Sequence, residues 1–275
     1  MKFTKLFVLS LVAIIFMTAC QTKTEQSVSD WKIGIQTYTF HNFTLMEALD
    51  KSRELGLHYA EAYFFQTLGQ NFADTAYLNY DISEETKQQL KREFTERGIS
   101  LYSFGVAFYG TTEEWEAFFK FSKEMGIHTV TCEPELHHLD FVEEMAHKYN
   151  IEVAIHNHPD PSVYADPNVL LDALEGRSSM MGVCADIGHW LRSGFDPLET
   201  LKKFSGRVKV VHLKDLSAEL DDTTWGTGIL PVKEVMAELK NQKFDGLISI
   251  EYENFSSSQL EDIKNSLEYY NSQLN

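Results

Sequence analysis

From Trp31 onward the chain alternates short apolar runs with amphipathic stretches, one pair every roughly 25–35 residues, the length of a βα unit. Few architectures accept that rhythm. Parallel strands need a crossover long enough for a helix, and repeated crossovers of one hand build either a closed barrel or an open doubly wound sheet. The apolar runs are WKIGIQTYTF (31–40), LHYAEAYFF (57–65), ISLYSFGVAF (99–108), IHTVTCEPE (127–135), IEVAIHNHP (151–159), GVCADIGHW (182–190), VKVVHLKD (208–215) and DGLISIEYE (245–253). Helices are predicted over 44–56, 81–98 (Ser83 as N-cap), 111–126, 139–150, 167–176, 196–207, 228–244 and 256–273. Eight such pairs predict a (β/α)8 TIM barrel. The open sheet fits less well: no G-x-G-x-x-G or phosphate loop follows the first strand, and polar groups end nearly every strand rather than one switch point.

Strand alternation assigns the side chains that face the barrel axis. It groups Tyr59 with Glu61, Thr131 with Glu133, Ala154 with His156 and His158, Cys184 with Asp186, Val210 with His212, and Ser249 with Glu251. The lower residue is small or apolar in most of these sets, and the last is a carboxylate or an imidazole. An ionised carboxylate in such a place is costly unless a cation meets it. Several carboxylates converging with imidazoles have the composition of a divalent metal site. Taken singly, each has an ordinary explanation. Glu61 is a solvated strand end, His156 and His158 are stacked structural histidines, Asp186 caps a turn at His189, and Lys214–Asp215 is a surface ion pair. TYTF (37–40) reads as barrel packing, and His137 and His138 as surface residues. Chance endings of this kind on five adjacent strands make a poor joint explanation.

With 43% hydrophobic and 24% charged residues the chain suits one large domain. Its formal charge of -17 weighs against a nucleic-acid partner. Lys2 and Lys5 precede LFVLSLVAIIFM (6–17), an apolar run too short to span a membrane, as in an export signal. Met17-Thr18-Ala19-Cys20, which closes it, resembles the lipobox of bacterial lipoproteins, where cleavage leaves Cys20 as a lipid-bearing first residue. QTKTEQSVSD (21–30) has a tether's composition. The expected organisation is a signal peptide over 1–19, a tether over 20–30 and a barrel over 31–275, exported and held by lipid on a bacterial membrane, facing the periplasm or the cell surface. Cys132 and Cys184 fall inside strands and read as small hydrophobes, without a disulfide.

IHNHP, CADIGHW, VVHLKD and ISIEYE, in that order at the last four strands, resemble the xylose isomerase-like TIM-barrel superfamily, which contains sugar isomerases and epimerases, inosose dehydratases and endonuclease IV. The resemblance runs from about Gly34 to Glu253. It implies a divalent metal, held in the epimerase branch by Glu, Asp, His and Glu from strands five to eight. Asp186, His212 and Glu251 match in type and position. His156 stands where that branch has Glu, so either His156 ligates or Glu133 on strand four supplies the missing carboxylate. The mixed donor set suits Mn, Co, Zn or Fe better than Ca. The implied chemistry is proton abstraction next to a sugar carbonyl, with a metal-stabilised enediolate. Glu251, His158 and Lys214 are candidate bases, and Glu61, His189 and Trp190 candidate substrate contacts. A sugar isomerase or epimerase is the first expectation. A lyase or dehydratase on a 3-keto-glycoside or inosose is the second, favoured by the His-for-Glu exchange and the export signal. A lipoprotein that binds carbohydrate without turnover is the third. Charge and export argue against the DNA-repair branch, and the oligomeric state stays open.

Overall fold

In the computed structural model, which describes residues 31–273, eight parallel strands close into a barrel. They are β1 (Lys32–Gln36), β2 (Tyr59–Ala62), β3 (Ser100–Ala107), β4 (Thr129–Cys132), β5 (Glu152–His156), β6 (Met181–Asp186), β7 (Val208–Leu213) and β8 (Leu247–Ile250). Each pairs with the next, and β8 closes on β1. The helices are α1 (Leu45–Glu54), α2 (Glu84–Glu96), α3 (Thr112–Met125), α4 (Leu139–Tyr149), α5 (Pro167–Leu174), α6 (Ile187–Arg192), α7 (Pro197–Lys203), α8 (Val232–Asn241) and α9 (Gln259–Gln273). The (β/α)8 barrel expected from the repeat is the fold observed.

Local chemistry explains the helix starts. Thr44 and Glu47 form a reciprocal capping box at α1, Ser83 caps α2 through the Thr86 amide, and Thr111 caps α3 through the Glu114 amide. Asp196 caps α7, whose first residue is Pro197. The apolar stripes then seat on the sheet; in α3, Trp115, Phe118, Phe119 and Phe121 are all buried.

Inside the barrel, Tyr59, Tyr102, Ala154, Cys184, Val210 and Leu247 fill one cluster. Two residues further along their strands stand Glu61, His156, Asp186 and His212, all buried. The predicted alternation is therefore the observed one, and it lifts the polar groups to the C-terminal mouth.

Three segments differ from the sequence reading. The apolar run 182–190 is not one strand: β6 ends at Asp186, whose side chain caps α6, because the buried run simply changes period. β1 stops at Gln36 and turns through a 3-10 segment, Thr37–Phe40. Beyond β2, residues 63–83 form a long loop folded on itself, with Thr67 bridged to Tyr77. His138, expected at the surface, is buried, whereas His137 is exposed. Cys132 and Cys184 are buried free thiols. No helix among the described residues is long and apolar enough to cross a membrane. The export signal, lipobox and tether read at 1–30 lie outside the described residues.

Candidate metal centre and active site

Four consecutive barrel strands deliver one donor each to a single buried point: His156 from β5, Asp186 from β6, His212 from β7, and Glu251 just past β8. Register sets Asp186 directly opposite His212. The four donor atoms lie within 4.8 Å of one another. His156 Nε2 is 3.7 Å from Asp186 Oδ2, and His212 Nδ1 is 3.8 Å from that oxygen and 3.0 Å from Glu251 Oε2. These same four atoms are buried without a hydrogen-bond partner. Buried polar atoms are nearly always paired, so four together call for a common partner.

The groups behind the imidazoles strengthen that reading. Glu133 Oε1 accepts from His156 Nδ1 at 3.0 Å, and Glu61 Oε2 accepts from His212 Nε2 at 2.9 Å. An ionised carboxylate can only accept, so each fixes the proton on the outer nitrogen and turns a lone pair inward. Glu61 Oε1 takes a further hydrogen bond from Thr131 Oγ1 at 2.5 Å. Burial opposes charge on Glu133, yet hydrogen bonds from His156 and His158 outweigh it and hold the carboxyl well below its ordinary range. Burial likewise opposes charge on Asp186, but the Lys214 ammonium and the contact with His156 hold it well below its ordinary range. Asn157 clamps the end of β6, donating to Asp186 O at 3.0 Å and accepting from Asp186 N at 2.9 Å. Two lone-pair imidazoles and two carboxylate oxygens fit a divalent cation of the Mn, Co, Zn or Fe type. Other possible groupings reuse His156, with Cys184 and His212 or with His158 and His189. The Cys184 thiol is pushed up to about 12 by burial, so it stays protonated and makes a poor competitor.

Lys214 is fully buried beside the cluster, its Nζ 3.1 Å from Asp186 Oδ2 and 3.0 Å from Glu251 Oε2. Its hydrogen bond goes to Glu253 Oε2 at 3.2 Å. Burial disfavours the ammonium, but Asp186, Glu251 and Glu253 hold its pKa well above the usual value. Its stem runs under the first turn of α6, where a Cβ on Gly188 would meet Lys214 Cγ and Cδ at 2.5 Å. That contact is the physical reason for a glycine between Asp186 and His189 in CADIGHW. Asp186 Oδ1 accepts from the His189 amide at 2.7 Å, so the turn cap and the donor are one residue. Arg192 can only donate, and its Nη1 stands 3.3 Å from His189 Nδ1, which leaves the His189 proton on Nε2. Burial pushes His189 down to about 2, so the ring is neutral.

Several site residues occupy other roles than the sequence assigned. Glu133 is not in the donor cluster; it accepts from His156, from the His158 backbone and ring, and from Ser162, and so serves His156, which takes the strand-five position. Glu61, expected at a substrate hydroxyl, is wholly buried behind His212. Trp190, expected on a sugar face, stacks on Phe204 at 5.7 Å inside the protein and does not reach the cavity. Lys214 is an ammonium among carboxylates rather than a free base. Asp215 is no surface ion-pair partner: it is fully buried and accepts from the amides of Leu216, Gly226, Gly228 and Leu230, tying down the loop after β7. Tyr38, expected in barrel packing, is 39% exposed on the cavity wall.

A cavity of about 660 Å3 opens over the cluster. His158, His189, Glu251 and Glu253 line it on the cluster side. His158 Nδ1 is held by Glu133 Oε1 at 2.6 Å, so its Nε2 is the atom left for a ligand. The opposite wall comes from the 63–83 loop and from the loop after β3, and the sequence reading missed both. Asn79 and Tyr80 carried a legible signal only as polar and aromatic residues in a stretch without periodicity.

The family described as "Xylose isomerase-like TIM barrel" matches residues 49–273. An inosose dehydratase of Bacillus thuringiensis (strain Al Hakam) is 29% identical over 138 residues, 43% of this chain and 45% of that enzyme, so the match spans less than half the relative's length. A crystal structure of an uncharacterised protein from Parabacteroides distasonis ATCC 8503 is 58% identical, covers 88% of this chain and 99% of that one, and superposes with a TM-score of 0.75. D-allulose 3-epimerase from Methylomonas sp. shares the fold at 12% identity and a TM-score of 0.68, with coverage of 89% and 98%.

Proposed function

The chain belongs to the xylose isomerase-like TIM-barrel family, and from that premise we propose a divalent-metal-dependent enzyme that moves a proton at the carbon beside a sugar carbonyl, as an isomerase or epimerase. One observation carries the reading: His156 Nε2, Asp186 Oδ2, His212 Nδ1 and Glu251 Oε2 are four converging buried donors without a hydrogen-bond partner, the two carboxylate oxygens having only the Lys214 ammonium beside them, and both imidazoles are turned inward by carboxylates. These four residues would hold the metal, which when bound supplies Lewis-acid polarisation of a carbonyl.

The chain's own groups do the rest. His158 Nε2 faces the cavity as a base, and Glu133 stabilises the imidazolium that forms when it takes the proton. The neutral His189 lines the cavity with its Nε2 3.4 Å from Asp186 Oδ2, where the Nε2–H can turn to a substrate oxygen beside the cluster without surrendering a proton. Glu251 reaches the cavity from β8, three strands round the barrel from β5, and is placed to return a proton on another side of the sugar. Lys214 neutralises part of the charge on Asp186, Glu251 and Glu253.

The same pair of proton carriers suits elimination, with one group abstracting and the other protonating a leaving group. The imidazole in place of the strand-five ligand glutamate and the partial match to an inosose dehydratase favour this second reading. Export and a lipid on Cys20 belong to the proposal too, supported by Lys2, Lys5, the apolar run 6–17 and Met17–Cys20.

Metal content by mass spectrometry, followed by incubation in D2O with ketoses, inososes and 3-keto-glycosides, tests it. The expected result is a bound divalent metal and deuterium next to the carbonyl; an intact carbon skeleton marks isomerisation, and release of water or an aglycone marks elimination. His212→Ala and Asp186→Ala should each lose metal and turnover, while His158→Gln should keep metal and lose about 10²–10⁴-fold in kcat. Full metal and full turnover in both ligand variants would end the assignment. Tight sugar binding with no turnover would leave a carbohydrate-binding protein.

A further inference from the structure

The cavity is larger than the cluster needs, and its two ends differ. At about 660 Å3 it lies in the range that encloses drug-sized ligands, so a single sugar ring at the cluster would leave much of it empty. One end carries His158, His189, Glu251 and Glu253. The other carries Tyr63, Phe65, Asn79 and Tyr80 from the 63–83 loop, with Tyr109 and Glu114 from beyond β3. The near end draws on the exits of β5, β6 and β8 and the far end on those of β2 and β3, which stand two to four strands away round the barrel.

The far end has unmet polar atoms and bare rings. Asn79 Oδ1 and Tyr109 Oη are buried without a hydrogen-bond partner, and Asn79 as a whole is only 8% exposed. Beside them Tyr80 meets Tyr109 edge to face at 5.3 Å, and Phe65 stands 67% exposed. Phe65 also holds a left-handed backbone, φ 63, an uncommon conformation for a bulky residue and one that concentrates at ligand sites. The wall is fixed in place. The Phe65 amide donates to Leu78 O at 2.8 Å, the Leu45 and Met46 amides of α1 donate to Thr67 O and Leu68 O at 2.8 and 3.1 Å, and Asn71 donates to Glu93 on α2 at 2.8 Å. A rigid, aromatic, incompletely satisfied wall is what a second ring with a flat apolar face and a hydroxyl would complete.

We propose that this end is a second-ring subsite, and hence that the substrate is a glycoside: the reacting sugar sits at the cluster, and the ring linked to it lies against Phe65 and Tyr80 and donates a hydroxyl to Asn79 Oδ1. The inference rests on the sugar reading above. A second sugar and a phenolic aglycone share this chemistry, and the test separates them.

The metal-loaded protein is titrated calorimetrically with 3-ketoglucose, its phenyl glycoside and 3-ketocellobiose, and turnover of all three is followed. At least one two-ring compound should bind about tenfold more tightly than 3-ketoglucose, with the advantage falling to below about threefold in Asn79→Leu and Phe65→Ala. Tyr109→Phe, which deletes one oxygen and no packing, should reduce the same ratio if Phe65→Ala fails to fold. Preference for the phenyl glycoside alone identifies an aryl aglycone; preference for 3-ketocellobiose alone identifies a second sugar. Equal affinity for all three, with 3-ketoglucose turned over, overturns the subsite and leaves the proposed reaction standing. Tight, Asn79-dependent binding of a two-ring compound without turnover of any does the reverse. Binding of none overturns the subsite, and the proposed reaction is then decided by the ketose and inosose incubations above.

Discussion

Glu61→Gln isolates the electrostatic half of the metal argument. The side chain is fully buried, with Oε2 on His212 Nε2 at 2.9 Å and Oε1 on Thr131 Oγ1 at 2.5 Å. A glutamine amide can keep its oxygen toward His212 and turn its NH2 to the threonine oxygen, so the packing survives and only the charge is lost. Hydrogen bonds to charged groups contribute about 1.5–3 kcal/mol and neutral ones about 0.5–1.5 kcal/mol. The difference, about 1–1.5 kcal/mol, corresponds to about tenfold in affinity, at the lower edge of the roughly 10–100-fold effect of groups that orient metal ligands. Glu133→Gln repeats the experiment on His156, whose Nδ1 is 3.0 Å from Oε1. Because the two carboxylates act on different imidazoles, the double variant should lose about a hundredfold. The assay is calorimetric titration of chelator-stripped protein with Mn, Co or Zn, with a thermal melt of the stripped forms to verify folding. Affinities within about twofold of the wild type in both folded single variants would refute the idea that these carboxylates prepare the imidazoles for a cation.

Gly188→Ala should push Lys214 from its seat, since the new Cβ would stand 2.5 Å from its Cγ and Cδ; we expect a loss of about 1–3 kcal/mol in denaturant unfolding together with reduced turnover, and unchanged values would show that Lys214 is free to shift. Asp215→Ala frees four amides, at Leu216, Gly226, Gly228 and Leu230, and should cost more than about 3 kcal/mol, with faster amide exchange over 217–229; unaltered exchange would remove Asp215 as the loop's anchor. Burial works against charge on His156 and His212, but Asp186 and Glu133 raise the first, and Glu61 and Glu251 raise the second, so protons compete with metal at both. Both ligands bind metal only when deprotonated, so affinity falls as pH drops; titration at pH 6 and pH 8 should differ by about tenfold or more, and equal affinity would exclude imidazole ligation.

The (β/α)8 barrel was legible because its determinants are local. Apolar runs of alternating period, caps such as Ser83, and the spacing between them repeat along the chain regardless of what packs on what. The strand-end chemistry was legible for the same reason: a period of two decides which face Asp186, His212 and Glu251 share, and register then aligns them. The 63–83 loop was not legible, since it has no period and owes its shape to carbonyls that receive the first amides of α1.

What alternation cannot give is the division of labour among inward carboxylates. Glu61, Glu133, Asp186 and Glu251 look alike in sequence, yet two of them face the common point and two stand behind imidazoles. That distinction depends on how high each strand rides in the closed barrel and on which strands meet across its axis. Glu61 and His212 are 151 residues apart, and only closure of the ring lets one hold the other's proton. The sequence by itself determined the barrel and the stock of groups at its mouth. The tertiary structure decided which nitrogen of each histidine is left bare, because a hydrogen bond over such a distance leaves no local trace in the chain.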